Sequence, residues 1–339
     1  MRAIQLRQPG GLDKLEVVSL PEPSTPGKGD ILVRFHASSL NFHDYLIVSG
    51  TAPTEDKRIP MSDGAGEVLA VGEGVEEFQV GDKVISLFFP NWIAGDPPNV
   101  PLPNTFAHVP GDGTDGCARE MVIAPARCFT RAPRGLSYAE SATLVCAGLT
   151  AWRALVVEGG AKAGDVVLVQ GTGGVSLFAL QFAKAMSATV IATSSSDEKL
   201  DRLKALGADH VINYRSESQW GAAAHAITDG RGVDHVIDIG GIETLPQSFA
   251  ASRVAGHVAM IGMLTGHEGP LPALLMMTKQ LRVRCMMVGS RDAQLDMIRA
   301  VEATGIHPVI DRTFPLEQLS DAFRYQESGA HFGKIVVGV

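Results

Sequence analysis

VVLVQGTGGVS, residues 166–176, decides how this chain folds. Five residues of strand character, Val166–Gln170, run straight into a glycine-rich turn. Residues 177–186 follow with apolar positions at helical spacing. A strand, a Gly-x-Gly turn and a helix in that order suit the pyrophosphate of a dinucleotide. Gly171 allows the tight turn, and Gly173 lets the backbone approach the phosphates. The third position of the fingerprint asks for a small residue where helix and strand pack. Ser176 stands there, a departure from glycine that keeps the size small. The anion is expected against Thr172, Gly173, Gly174 and Val175, at the positive end of the helix.

A second strand, TVIAT at residues 189–193, follows the helix. Its end is where the choice between NAD and NADP is made, because a carboxylate there holds the ribose 2′-hydroxyl. This chain has Ser194, Ser195 and Ser196 instead, with no acid before Asp197 and with Lys199 one helix turn further. Hydroxyls and a cation suit a 2′-phosphate, so NADP(H) is favoured and NAD(H) is the alternative. The competing reading is that the serines cap a helix starting near Asp197.

Further strand patterns recur at 210–212, 235–239, 257–261 and 281–288, with a helical pattern at 198–206. Alternating strands and helices predict an α/β fold with a doubly wound parallel sheet covered on both faces. Upstream the texture differs. Residues 1–147 are rich in Gly and Pro, with short apolar runs at 31–35, 67–71 and 83–87 between turn signals, which predicts a mostly-β domain. Residues 89–116 lack periodicity and read as a long surface loop or lobe. Beyond Asp292 come an amphipathic helix, a second helix near 316–326 and a strand at 334–337.

The totals fit a globular enzyme of about two domains: 339 residues, 45% hydrophobic and 19% charged. A net charge of −8 argues against nucleic acid as a partner. The four cysteines form no C-x-x-C pair, which disfavours a structural zinc or a disulfide framework. No apolar leader and no stretch long enough to span a membrane is evident, so the default expectation is the cytoplasm.

The chain resembles the medium-chain dehydrogenase/reductase superfamily from end to end. The resemblance is carried by AVGEGV (70–75), GDKV (81–84), CAGLTAW (146–152), the glycine-rich turn, GADHVINY (207–214), GVDHVID (232–238) and HFGKIVV (331–337). It is greatest toward the zinc-free branch near the quinone oxidoreductases, in a subgroup called zinc-type alcohol dehydrogenase-like. The resemblance implies a GroES-like catalytic domain from 1–147 and 290–339, a Rossmann domain at 148–289 inserted between them, and an active site in the cleft. It also implies a homodimer paired through the strand at 281–288. Lys199 and Tyr214 fall where such quinone reductases contact the NADP 2′-phosphate. Thr150 falls where relatives contact the nicotinamide. Gly240, Gly262 and the Val288-Gly289 pair follow ends of Rossmann strands, where ligands bind.

In zinc-dependent relatives three side chains hold a catalytic metal. The matching positions here are Asn41, Ser62 and Cys146, and one strong ligand of three is not a zinc site. Asp63 or His43 would have to stand in. The loop at 89–116 also lacks the four clustered cysteines of the structural zinc lobe. No zinc is therefore expected, and Cys146 reads foremost as a small buried residue, at a position that would face the cleft.

Without a metal, an oxyanion forming on the substrate needs hydrogen-bond donors. Asn41 and His43 lie in LNFHDY, 40–45, which resembles the N-x-x-D stretch of quinone reductases. Asn41, His43 and Ser62 are the candidate catalytic residues, with Asn41 also able to meet the nicotinamide. His43 reads more readily as a structural histidine than as a catalytic group, and Asp44 as the holder of a backbone turn. Phe42, Tyr45, Phe88, Phe89, Trp92 and Cys146 are the candidate substrate pocket, suited to an apolar or conjugated molecule. The leading expectation is a zinc-independent, NADPH-preferring reductase of quinones, enones or other conjugated carbonyls. The alternatives are an alcohol dehydrogenase or ketoreductase acting on a C–O bond, and an NADPH-binding protein without turnover.

Overall fold

A computed structural model describes residues 1–102, 104–266 and 268–339. The first part of the chain carries β1 (Arg2–Leu6), β2 (Leu15–Ser19), β3 (Asp30–Ser39), α1 (Phe42–Val48), β4 (Ala65–Val71), β5 (Lys83–Ser86), β6 (Met121–Pro125), β7 (Phe129–Arg131) and α2 (Tyr138–Ala142). The middle carries α3 (Leu149–Trp152), β8 (Val166–Gln170), α4 (Gly174–Ala185), β9 (Thr189–Ser194), α5 (Asp197–Ala205), β10 (His210–Asn213) and α6 (Trp220–Ile227). It continues with β11 (Val233–Asp238), α7 (Leu245–Ala251), β12 (Ser252–Met260), α8 (Ala273–Thr278) and β13 (Arg282–Cys285). The last part adds α9 (Arg291–Thr304), β14 (Ile310–Pro315), α10 (Leu319–Glu327) and β15 (Lys334–Gly338).

These elements pack as two compact units, Met1–Leu149 with Gly289–Val339, and Thr150–Val288. In the first unit β1 and β2 form a two-stranded antiparallel sheet. Seven strands form its main sheet in the order β14-β15-β3-β4-β5-β7, with β6 also on β3. The pairing of β15 with β3 puts Val336 opposite Ser39, so the end of the chain lies beside the segment that leads into α1. Ile31, Val33, Phe35, Ile47, Val48, Ile59 and Phe323 pack into one core under this sheet. That core fixes where β3 delivers Asn41.

The second unit is a six-stranded parallel sheet in the order β10-β9-β8-β11-β12-β13. The strand order reverses beside β8, so the crevice at its carboxyl end is the place where such sheets bind ligands. Val167, Leu168 and Val169 are completely buried, as a central parallel strand requires. The strand expected over 281–288 is shorter: β13 ends at Cys285. Val288 has φ +42°, which an extended strand cannot accommodate.

Candidate functional site

The dinucleotide turn is built as its sequence requires. Gly171 has φ +70°, the left-handed region that glycine enters without cost, and its N–H donates to Thr193 O at 2.8 Å, tying the turn to β9. Gly173 caps α4 with extended backbone, and no side chain caps this helix. A Cβ on Gly173 would meet nothing within 4 Å, so open space lies directly over the start of a twelve-residue helix. Unfilled room and an uncapped N-terminus fit the phosphates of a dinucleotide. Ser176 is fully buried, and its hydroxyl donates to Gln170 O at 2.5 Å. The serine at the third fingerprint position therefore staples the first turn of α4 to the end of β8, a bond that glycine cannot make.

The strand ends around the turn are held by a buried polar network. Gln170 Nε2 donates to Asp238 Oδ2 at 3.0 Å and to Ser248 Oγ at 2.8 Å. Asp238 Oδ1 accepts from Gly241 N at 2.9 Å and Thr244 Oγ1 at 2.8 Å. Gly240 and Gly262 follow β11 and β12 as read from the sequence, and packing alone demands both glycines. A Cβ on Gly240 would collide with Thr244, and one on Gly262 with the Ile239 carbonyl.

Ser194 and Ser195 lie where β9 ends, Lys199 in the first turn of α5 and Tyr214 just past β10. Tyr214 N donates to Ser194 O at 3.1 Å. The three serines divide their tasks. Ser196 Oγ accepts from Lys199 N at 3.3 Å and caps α5, and Ser194 Oγ accepts from Ser196 N at 3.3 Å. Ser195 is half-buried and Tyr214 exposed. Thr150 is buried on α3. At the far end of this unit, Arg153 Nη1 donates to the carbonyls of Met287 and Val288 at 3.2 and 3.4 Å, holding a β-branched residue at positive φ. Such strain persists only where surroundings impose it. Gly289, the first residue back in the other unit, has no room for a Cβ against Leu149 without displacing it.

In the first unit Asn41, Ser62, Asp63 and Asp44 form one buried cluster at the start of α1. Asn41 Nδ2 donates to Ser62 Oγ at 3.2 Å. Asp44 accepts from Asn41 N at 3.0 Å and from Ser62 N at 2.8 Å, clamping the two segments together. Asp44 is thus the holder of backbone that one reading assigned it. Asp63 accepts from Ser39 Oγ at 2.5 Å through Oδ2, while no hydrogen bond reaches its Oδ1 among the described residues. Burial pushes its carboxyl up to about 6, against the pull of Lys334. Lys334, at the start of β15, is buried with Nζ 3.7 Å from Asp63 Oδ2 and 2.6 Å from Asn41 Oδ1.

His43 lies among aromatic rings, with centroids 5.3 Å from Phe88 and 4.9 Å from Phe106. Phe89 continues the group to Phe88 at 4.8 Å and Trp92 at 6.2 Å. His43 Nε2 approaches Asp112 Oδ2 at 3.1 Å, close enough for an ion pair but out of line for a hydrogen bond. Phe42 and Tyr45 form a separate stacked pair on α1. Tyr45, expected in the substrate pocket, packs against the core, and its hydroxyl donates to Glu327 at 2.7 Å. Cys146 is half-buried in a π-helical turn, Leu144–Gly148. A cavity of about 350 Å³ in this unit is lined by Phe35, Leu87, Cys117, Arg119 and Cys128 among others, and by none of the residues assigned to the substrate pocket. Burial pushes the Cys117 thiol up to about 12, so it is inert.

Sequence reading missed Asp112, Phe106 and Lys334. The first two lie in the aperiodic loop, where no local pattern marks them. Lys334 did carry a signal: it is the one charge in KIVVG, an otherwise apolar strand.

The donor set does not fit a catalytic zinc. The positions that match its first two ligands are an amide and a hydroxyl bonded to each other, and the amide oxygen already faces an ammonium. Neither is the thiolate or imidazole that zinc selects. Among the described residues no helix is long and apolar enough to cross a membrane.

Comparisons with known proteins place these features in a family. The model for the alcohol dehydrogenase GroES-like domain matches residues 27–134, and the model called zinc-binding dehydrogenase matches 174–303. A zinc-type alcohol dehydrogenase-like protein of Schizosaccharomyces pombe is 43% identical over 97% of this chain and 96% of its own. A solved NAD-dependent alcohol dehydrogenase is 34% identical over 100% of both chains, with a TM-score of 0.89. A mycobacterial structure complexed with NADPH is 27% identical over 100% of both chains, with a TM-score of 0.81. A mycobacterial quinone oxidoreductase structure matches with the same figures.

Proposed function

The chain belongs to the medium-chain dehydrogenase/reductase superfamily as an NAD(P)-dependent oxidoreductase, and on that premise we propose that it is a zinc-independent, NADPH-preferring reductase of quinones, enones or other conjugated carbonyls. One observation carries the reading: Asn41 and Ser62, at the positions where zinc-dependent relatives hold their metal, hydrogen-bond to each other beside the Lys334 ammonium. A carbonyl reduced there would have its developing negative charge met by protein N–H donors in place of a Lewis acid.

NADPH, when bound, supplies the hydride. The chain's own residues do the rest. The turn from Gly171 to Val175 holds the pyrophosphate, with Thr150 and Val288 toward the nicotinamide. Ser194, Ser195, Lys199 and Tyr214 hold the 2′-phosphate. Asn41 donates from Nδ2 to the substrate oxygen. His43, kept company by Asp112, delivers the proton that completes the reduction. Phe88, Phe89, Trp92 and Phe106 give this proton donor apolar surroundings that suit a conjugated substrate.

The second reading, an alcohol dehydrogenase or ketoreductase interconverting an alcohol and an isolated carbonyl, draws on the alcohol dehydrogenase-like relatives and on the same His43–Asp112 pair. Oxidation of NADPH and NADH across aldehydes, ketones, enones and quinones separates the two, with zinc measured on the same sample. Preference for NADPH with enones or quinones and no stoichiometric zinc is the expected result. One zinc per chain, with activity lost to a chelator, would overturn it. NADPH binding without turnover of any of these substrates would leave a non-catalytic binder.

A further inference from the structure

We infer that Lys334 is a positioning residue, whose buried ammonium turns the Asn41 amide so that Asn41 offers an N–H, and not its carbonyl, to a reacting oxygen. The inference rests on the reading of Asn41 given under Proposed function. A buried lysine is costly unless its donors are satisfied. Those of Lys334 are directed at Leu40 O, 2.5 Å away, and Asn41 Oδ1, 2.6 Å away, with Asp63 Oδ2 at 3.7 Å.

An ammonium carries three donors and no acceptor. The atom of Asn41 that faces it at 2.6 Å must therefore be oxygen. That removes the usual two-fold choice for an amide and sends Nδ2 the other way, to Ser62 Oγ. Nδ2 has two hydrogens, and Ser62 takes one. The second faces the Asp63 carboxyl, and a substrate oxygen would compete with that carboxyl for it. The backbone leaves little freedom to undo this, because Asp44 fixes the N–H groups of both Asn41 and Ser62. A fixed cation on the amide oxygen also polarises the amide and strengthens its N–H as a donor. The chain thus places its own cation one residue behind the substrate contact.

The test uses the full chain with the variants K334M, K334Q, N41L and the double variant K334M/N41L. Removing one oriented oxyanion donor lowers kcat by about 10²–10³-fold, and K334M and N41L are each expected to do so, with the NADPH dissociation constant of K334M changed by less than about threefold. Because Lys334 acts through Asn41, the double variant should be no slower than the slower single variant. A second readout needs no substrate. The side-chain NH₂ resonances of Asn41 in a ¹⁵N spectrum, assigned by their loss in N41L, should shift and broaden in K334M. Should K334M fail to fold, K334Q carries the test: its amide still donates one hydrogen bond, so kcat should fall less and the Asn41 resonances should broaden. A folded Lys334 variant with unchanged Asn41 resonances overturns the inference, as does a double variant whose loss is the product of the single losses. Failure of the wild-type protein to turn over any carbonyl instead sinks the functional reading, and leaves the spectrum to decide the orientation of Asn41.

Discussion

His43 Nε2 lies 3.1 Å from Asp112 Oδ2, with the His43 ring packed between Phe88 and Phe106. Phe88, Phe106 and Asp112 together hold the imidazole in place. His43→Phe keeps the packing and removes the proton donor. General-acid catalysis contributes about 10²–10⁴-fold, so a loss of that order in kcat is expected, with NADPH binding unchanged. Asp112→Asn should cost less, roughly tenfold, because the donor remains and only its orientation is weakened. Steady-state kinetics at saturating NADPH check both. Full activity in His43→Phe would move the proton donor elsewhere.

Ser176→Gly restores the glycine of the common fingerprint, yet it should destabilise this protein. The buried bond to Gln170 O is worth about 1 kcal/mol, and glycine in place of serine in a helix costs about 0.5 kcal/mol more. The expected loss is therefore about 1.5 kcal/mol in a denaturant melt, with the dinucleotide dissociation constant within about threefold. A tenfold weaker constant at unchanged stability would instead make the Ser176 hydroxyl part of the phosphate site.

That contrast marks how much of the molecule was legible beforehand. The stretch 166–176 could be read because every requirement of the turn is local: strand propensity, positive φ at Gly171 and helical spacing after Gly174. The long helices α4, α5 and α9 were visible for the same reason. The helix α6, WGAAAHAI, was not read, because alanines on every side leave no apolar face to recognise. Asn41 was noticed as chemistry, while the seven-residue helix that it opens, α1, was too short to show a period. Lys334 lies 293 residues from Asn41 and Asp112 lies 69 from His43. Pairs of that kind are made by sheet pairing and loop packing, which no spacing in the sequence encodes.

The ends of β9 and β10 predict which cofactor suffers from which substitution. Lys199→Ala should raise the NADPH dissociation constant by about tenfold, the worth of one charge-assisted contact, and leave NADH unchanged. Ser196→Ala removes the cap of α5, which costs about 1 kcal/mol of stability, without changing the ratio of the two constants. Fluorescence titration with both dinucleotides distinguishes these outcomes. Equal weakening of NADPH and NADH by Lys199→Ala would contradict the assignment of a 2′-phosphate site.

Among the described residues the outer strand of the Rossmann sheet, β13, pairs with β12 alone. Beside it, Leu274 and Met277 on α8 are 76% and 74% exposed. A bare strand edge and exposed apolar side chains are liabilities in a monomer. We propose that a second copy of the chain covers them. Leu274→Asp with Met277→Asp should then shift the protein from dimer to monomer in analytical ultracentrifugation. A wild-type monomer at micromolar concentration would remove the proposal.

His257 and His235 face each other across β12 and β11, with ring centroids 5.8 Å apart. His235 has Asp165 at 3.0 Å, whereas neither ring nitrogen of His257 has a hydrogen-bond partner among the described residues. Burial pushes His257 down to about 4; His235 and Arg282 add to the shift, and Glu158 opposes it. Its folded value lies below the unfolded one of 6.5, so the unfolded chain binds more protons between them. Stability is therefore full above about pH 6.5 and falls as the pH drops toward 4. The linkage from this residue alone amounts to about 2 kcal/mol between pH 8 and pH 5. His235 is also shifted down by burial and works in the same direction, weakened by its contact with Asp165. His257→Leu removes the titrating group while keeping the site apolar. Its stability should fall less steeply from pH 8 to pH 5 than the wild type, by about the same 2 kcal/mol, in denaturant melts at each pH. Identical slopes in the two proteins would place the acid sensitivity of this unit elsewhere.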